Sequence, residues 1–164
     1  VGSGTSSLRN FFPKGTYDLF LTHGWRYTDS WQALVAAFDE YLAGRWRNWS
    51  LPWYDTSIES HTQEGKLQLE LLLRGQVSMA SAVIVLPEIN DRPESRGWLV
   101  KELDLAAHYE KPVIGVLAQD GGRFPDELMP QVDEVVRRDP KIIIRAVDRL
   151  SNKGSTERVV GTHP

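Results

Sequence analysis

The run Ala82-Val83-Ile84-Val85-Leu86 limits what this chain can fold into more than any other segment. Five consecutive apolar residues, three of them β-branched, offer no polar face to water, so the run reads as a strand covered on both sides. A polar loop follows, and then the helix Gly97-Trp98-Leu99-Val100-Lys101-Glu102-Leu103. Short apolar runs alternate with amphipathic helices along the rest of the chain, which is the pattern of an α/β layer fold.

The first strand reads from about Tyr17 to Thr22. Ser30 is placed to cap a helix in which Trp31, Leu34, Val35, Phe38 and Leu42 recur at helical spacing, and Gly44 suits its stop. Trp49, Leu51 and Trp53 then alternate with Ser50, Pro52 and Tyr54, so a second strand is expected there, with Pro52 placing it at an edge and Asp55 at its end. Thr56 to Gly65 reads as a long polar surface loop able to gate a pocket. Leu69, Leu72, Leu73, Gln76 and Val77 give the next helix its inward stripe. Beyond the Ala82–Leu86 strand, the spacing predicts strands over Pro112–Leu117 and Lys141–Val147, with a loop over Gln119–Pro125 and a short helix over Gln131–Arg137 between them.

Helical crossovers between parallel strands are right-handed, so these five strands are expected to form a mainly parallel sheet with helices on both faces, in the order 2-1-3-4-5. That is a flavodoxin-like three-layer sandwich. In such a sheet the ligand site lies beyond the carboxyl ends of the strands, where the winding reverses between the first and third. The crevice should be lined by Thr22-His23-Gly24-Trp25-Arg26 and by the Pro87 to Trp98 region.

At 164 residues the chain suits one domain. It divides into a flexible segment over 1–14, a domain over 15–150 and a partial helix or tail over 151–164. The net charge of −3 and a pI near 5.8 give no general attraction for nucleic acid. Arg45-Trp46-Arg47 accordingly reads as a solvated helix end or a subunit contact. The absence of cysteine excludes a disulfide framework, a thiolate zinc site and a cysteine nucleophile. With no apolar run of membrane-spanning length and no signal-peptide pattern in Val1–Ser7, the expected compartment is the cytosol. His23, His61, His108 and His163 form no metal-ligand spacing, and neither a dinucleotide fingerprint nor a Walker phosphate loop is present.

Tyr17-Asp18-Leu19-Phe20-Leu21-Thr22-His23, Trp53-Tyr54-Asp55 with its following loop, Ala80-Ser81-Ala82-Val83-Ile84-Val85-Leu86 and Trp98-Leu99-Val100-Lys101-Glu102 stand in the order found in Toll/interleukin-1 receptor (TIR) domains. From Tyr17 to Val147 the chain resembles that family, and most of all the bacterial TIR-like proteins of Thoeris antiphage defence. The resemblance implies an enzyme that consumes NAD as its substrate, without a further cofactor or metal, and makes a cyclic ADP-ribose-type messenger read by a downstream effector. It also implies that self-association, here through the 56–65 region, can complete the site.

By motif position the family's catalytic glutamate falls on Glu102, in a Trp-x-x-x-Glu pattern with Trp98 one turn before it. Arg26 resembles a polar position near the substrate phosphates, although the family's Ser-Tyr or Ser-His strand ending is here Thr22-His23, followed by Gly24-Trp25.

The chemistry suits one carboxylate. The nicotinamide–ribose bond already carries a cationic leaving group, so a single ionised glutamate suffices to stabilise the oxocarbenium-like sugar or trap it. Nearby backbone donors or hydroxyls are expected to keep Glu102 charged. Trp25 and Trp98 are candidates for stacking, His23 for a ribose hydroxyl, Arg26 for phosphate and Asp55 for ribose or loop positioning. Each also has an ordinary structural use: Trp98 covering the sheet, His23 hydrogen-bonded in the core, Arg26 in a surface ion pair, Asp55 in a turn. Two other functions fit the same residues. One is a nucleoside deoxyribosyltransferase-like enzyme; the other is a non-catalytic TIR-like adaptor that assembles through the 56–65 loop.

Overall fold

The computed structural model describes residues 16–24, 28–50 and 61–160, with side chains described through Ser151. Strands β1 (Tyr17–Leu21), β2 (Trp46–Asn48), β3 (Ala82–Val85), β4 (Val113–Val116) and β5 (Glu134–Val136) form one sheet in the order β2-β1-β3-β4-β5. All four pairings are parallel, with Leu19 beside Asn48 on one side and Ala82 on the other, Val83 beside Val113 and Ile114 beside Glu134. The helices are α1 (Asp29–Leu42), α2 (Gln63–Met79), α3 (Pro93–His108) and α4 (Pro140–Val160), with 3-10 turns over Pro87–Asp91 and Asp126–Gln131. The fold is the flavodoxin-like α/β arrangement.

The central strand behaves as its sequence demands: every residue from Ala82 to Leu86 is fully buried. Helix α1 packs against α4, and α2 against α3, so right-handed crossovers place one pair on each face of the sheet. Leu34, Phe38 and Leu42 of α1, Leu69, Leu73 and Val77 of α2, and Leu99, Leu103 and Ala106 of α3 supply the apolar stripes.

Several boundaries differ from the sequence expectation, each for an identifiable reason. The second strand is Trp46–Asn48, ahead of the expected Trp49–Tyr54; Trp49 and Ser50 form a turn, and residues 51–55 lie outside the described residues. Arg47 is therefore in a strand rather than at a helix end, and its guanidinium forks onto Asp18 of β1 at 2.5 and 2.8 Å. Trp49 Nε1 donates to the same carboxylate at 2.9 Å. Trp46 is buried against Phe38, its indole N–H donating to Asp39 at 2.9 Å.

Lys141–Val147 is the start of α4 rather than a strand, and Gln131–Arg137 contains β5 rather than a helix. Asp139 caps α4 by accepting from the Lys141 N–H at 2.9 Å, and Pro140 occupies the first helical position. Ile143, Ala146 and Val147 then bury one helical face. Asp133 ties the entry of β5 to β4, its backbone donating to Val113 O at 2.8 Å and its side chain accepting from Val113 N at 2.7 Å.

Thr28, not Ser30, caps α1, accepting from Trp31 N at 3.2 Å, and the helix stops through Ala43 (φ 47) as well as Gly44 (φ 83). The end of the expected 56–65 loop is helical: Thr62 caps α2, accepting from Gly65 N at 3.0 Å, while residues 56–60 lie outside the described residues. Helix α4 continues unbroken from Pro140 to Val160, through the expected tail boundary.

Candidate active site

The carboxyl end of β1 is fastened to its neighbour before it turns. Thr22 is fully buried; its N–H donates to Ile84 O, and its Oγ1 accepts from Leu86 N, both at 2.9 Å. This fixes His23 and Gly24 at the rim of the sheet, where the winding reverses between β1 and β3.

Gly24 has φ +55, and a Cβ there would sit 2.8 Å from Ser95 Cβ, 2.9 Å from Ile89 Cγ2 and 2.9 Å from Ser95 O. Both the left-handed backbone and the close approach of α3 therefore require glycine.

Helix α3 carries Glu102 to the same point. Its Oε1 accepts from the backbone N–H groups of His23 at 3.2 Å and Gly24 at 3.1 Å, and His23 Nδ1 lies 3.5 Å away. Oε2 is buried and has no hydrogen-bond partner among the described residues. The sequence expectation of a carboxylate held by backbone donors at the rim is met in geometry.

The expectation of a charged group is not met. Glu102 is 0% exposed, and burial pushes its pKa up to about 8 despite the two backbone N–H groups that pull it down. His23, also 0% exposed and tilted against Phe20 at 5.4 Å, is pushed down to about 3 by its burial. At neutral pH the pair is thus a neutral imidazole beside a mostly protonated carboxyl.

The other predicted site residues fall into two groups. Trp98 is half-buried against the hydrophobic core, with the Lys101 ammonium 4.7 Å from its ring centroid, and Lys101 is also paired with Glu70. Trp25, Arg26 and Asp55 lie outside the described residues. Thr22, His23, Gly24 and Glu102 are the predicted residues that the fold brings together.

Two features of the rim escaped the sequence reading. Ser95, two turns before Glu102 on α3, is 1% exposed, and its Oγ has no hydrogen-bond partner among the described residues. The i, i+7 spacing from Glu102 was the available signal, since it returns to nearly the same face.

The second is Arg138, which follows β5 and clasps the rim together. Its guanidinium donates to Leu117 O at 2.9 Å, to Ser30 Oγ at 2.6 Å and to both oxygens of Glu88 at 2.6 and 2.8 Å. Burial raises the pKa of Glu88, but the hydrogen bonds from Arg138 and the Gln119 N–H outweigh it and hold the carboxyl below its usual range. No local pattern announces a contact that joins α1, the turn after β3, the end of β4 and the residues after β5.

Cavities lined by described residues include two beside α3. One, of about 180 Å³, lies between α2 and α3 beside Glu70, Arg74, Lys101 and Asp104. The other, of about 250 Å³, lies beside Lys111, Val113, Pro130 and Asp133. Neither is lined by Glu102. Among the described residues, no cluster of three His, Asp or Glu side chains is arranged to hold a metal ion, and no helix is long and apolar enough to cross a membrane.

Against known proteins, no family model matches the chain, and no curated protein matches its sequence.

Proposed function

We propose that this protein is a TIR-like enzyme that cleaves the nicotinamide–ribose bond of NAD and forms a cyclic ADP-ribose-type messenger in bacterial antiphage defence. The observation that carries the reading is the Glu102 carboxyl at the reversal point of a 2-1-3-4-5 sheet, with one oxygen fixed by two backbone N–H groups and the other buried without a hydrogen-bond partner among the described residues.

In this reading the C1′–N bond breaks, its electron pair passes to the nicotinamide nitrogen, and neutral nicotinamide leaves. The positive charge that develops on the sugar is stabilised by Glu102 in its ionised form. The cationic substrate itself favours that form, since an adjacent positive charge opposes the effect of burial. Capture of C1′ by water, with loss of a proton, gives ADP-ribose; capture by a nucleophilic atom elsewhere in the same molecule gives a ring. Which prevails depends on water exclusion and on how closely the second group is held. Self-association through the 56–65 region and an effector that senses the product complete the proposal.

Incubating the purified protein and its Glu102→Gln variant with NAD, and resolving nicotinamide, ADP-ribose and cyclic products by mass spectrometry, tests it. The wild type is expected to release nicotinamide and the variant to release none. Equal turnover by the two would remove Glu102 from the chemistry.

A second reading is favoured by one observation, the complete burial of Glu102. A protonated, sealed carboxyl that bonds the β1 turn to α3 also suits a non-catalytic assembly module. In that case Glu102→Gln preserves partner assembly, and neither protein consumes NAD.

A further inference from the structure

We infer that the outward face of α2 is a self-association surface, on which a second copy of this chain packs its own α2 antiparallel about a two-fold axis. The inference is independent of the reading of Glu102, and it uses a surface other than the 56–65 region.

Helix α2 carries two apolar stripes. Leu69, Leu73 and Val77 are buried in the core. The second stripe is the ridge Leu67, Leu71, Gly75 and Met79, spaced four residues apart, and it lies outward: Leu67 is 57% exposed, Leu71 68% and Met79 56%. Large apolar side chains scattered singly over a surface need no explanation, but three aligned on one ridge make a contiguous patch that water disfavours. A helix apolar on its outer side as well as its inner one is suited to being covered on both.

Gly75 adds the distance of approach. It sits in the interior of α2, and a Cβ there would meet no other part of the protein within 4 Å. Alanine would fit and would favour the helix, so the single chain gives no reason for glycine; a second backbone coming close from outside does.

The order of residues along the ridge points to a second copy. Midway between Leu67 and Met79 lies Leu73, so in an antiparallel pair related by a two-fold axis, positions equidistant from it face one another. Leu67 of each copy then meets Met79 of the other, and Leu71 meets Gly75, a branched side chain opposite a notch. Ridges of this i, i+4 kind interdigitate in the commonest class of helix–helix contact. The charges agree. Glu70 and Arg74 both line the groove between α2 and α3, on one flank of the ridge. Arg74 makes no ion pair among the described residues, while Glu70, already paired with Lys101, keeps its side chain 39% exposed. The same two-fold axis sets Arg74 of each copy alongside Glu70 of the other.

A contact made by one pair of helices is small for a specific interface, so the dimer is expected to have a Kd on the order of 10 μM. Sedimentation velocity from about 1 to 100 μM measures it. Leu71→Glu should raise that Kd at least about tenfold, whereas Met129→Glu, which puts the same charge on an exposed apolar site elsewhere, should change it less than about twofold. Because the chain has no cysteine, single cysteines report the register directly. When Leu71→Cys and Gly75→Cys chains are mixed and mildly oxidised, the mixed disulfide should exceed either homodimer, since the bond needs Cα atoms within about 7 Å.

A wild type that stays monomeric throughout that range would overturn the inference and leave the ridge to a protein of another kind. A dimer as tight in Leu71→Glu as in wild type, or disulfides that form equally in all three pairings, would overturn it as well.

Discussion

Replacing Glu102 by glutamine should change how stability depends on pH, in a direction fixed by the burial of its carboxyl. In the unfolded chain Glu102 titrates near 4.5, whereas in the fold burial lifts it to about 8. Between those values the folded protein holds a proton that the unfolded chain has released, so rising pH favours unfolding. His23 acts in the opposite sense: between about 3 and 6.5 the unfolded chain binds a proton that the buried imidazole refuses, so rising pH favours folding.

From pH 4.5 to 6.5 the two slopes cancel, each being about 1.4 kcal/mol per pH unit. Above 6.5 only Glu102 still titrates, and the wild type should lose about 2 kcal/mol by pH 8. Below 4.5 only His23 does, and stability falls again.

In Glu102→Gln the amide oxygen can still accept from His23 N and Gly24 N, but the carboxyl slope is gone. The variant should therefore gain about 3 kcal/mol between pH 4.5 and 6.5, and the limb above 6.5 should flatten. Urea unfolding followed by tryptophan fluorescence at pH 4.5, 6.5 and 8 reads both effects as midpoint shifts of roughly 1 M or more. Parallel profiles for the two proteins would refute the argument, because they would mean that Glu102 is ionised in the fold and that burial does not control it.

Other outcomes follow from the same geometry. If Glu102 is the catalytic carboxylate, kcat/KM for NAD should rise about tenfold per pH unit up to a plateau near pH 8, and a profile flat from pH 6 to 8 would contradict its assignment. Gly24→Ala combines a left-handed φ with contacts of 2.8 to 2.9 Å, so it should cost about 2 to 4 kcal/mol in chemical denaturation; a loss below about 0.5 kcal/mol would mean that the turn moves freely. Arg138→Ala leaves Glu88 partly buried without its cation and should lower stability by about 2 to 3 kcal/mol, with a smaller loss for the double variant with Glu88→Gln than the two single losses added. Thr22→Val removes the acceptor of the buried Leu86 N–H and should cost about 1 to 2 kcal/mol, visible as faster amide exchange at Leu86.

Much of the architecture was legible because its signals are local. The unbroken apolar run at Ala82–Leu86, the helical spacing of Leu34, Phe38 and Leu42, and the recurrence of Leu69, Leu73 and Val77 each carry their own period. With right-handed crossovers they were enough for a parallel sheet in the order 2-1-3-4-5, although two of its five strands were expected on other residues. The fifth strand was misread because Ile143-Ile144 with Ala146-Val147 is a short apolar run that fits a strand or a buried helix alike. Asp139-Pro140, a cap followed by a first-turn proline, was the signal that separates them.

The second strand was displaced because Arg45-Trp46-Arg47 looks like a solvated surface until Asp18, 29 residues before Arg47, neutralises the cation across the sheet edge. By itself, then, the sequence determined the layers and the ordinal order of the strands, since the periodicity of each element is a property of neighbouring residues and right-handed crossovers do the rest.

Only the tertiary structure decided the state of Glu102. Glu102 meets the His23 N–H across 79 residues, and its pKa depends on how completely distant segments exclude water from it. Desolvation is a property of the enclosed volume, and no stretch of chain encodes it alone.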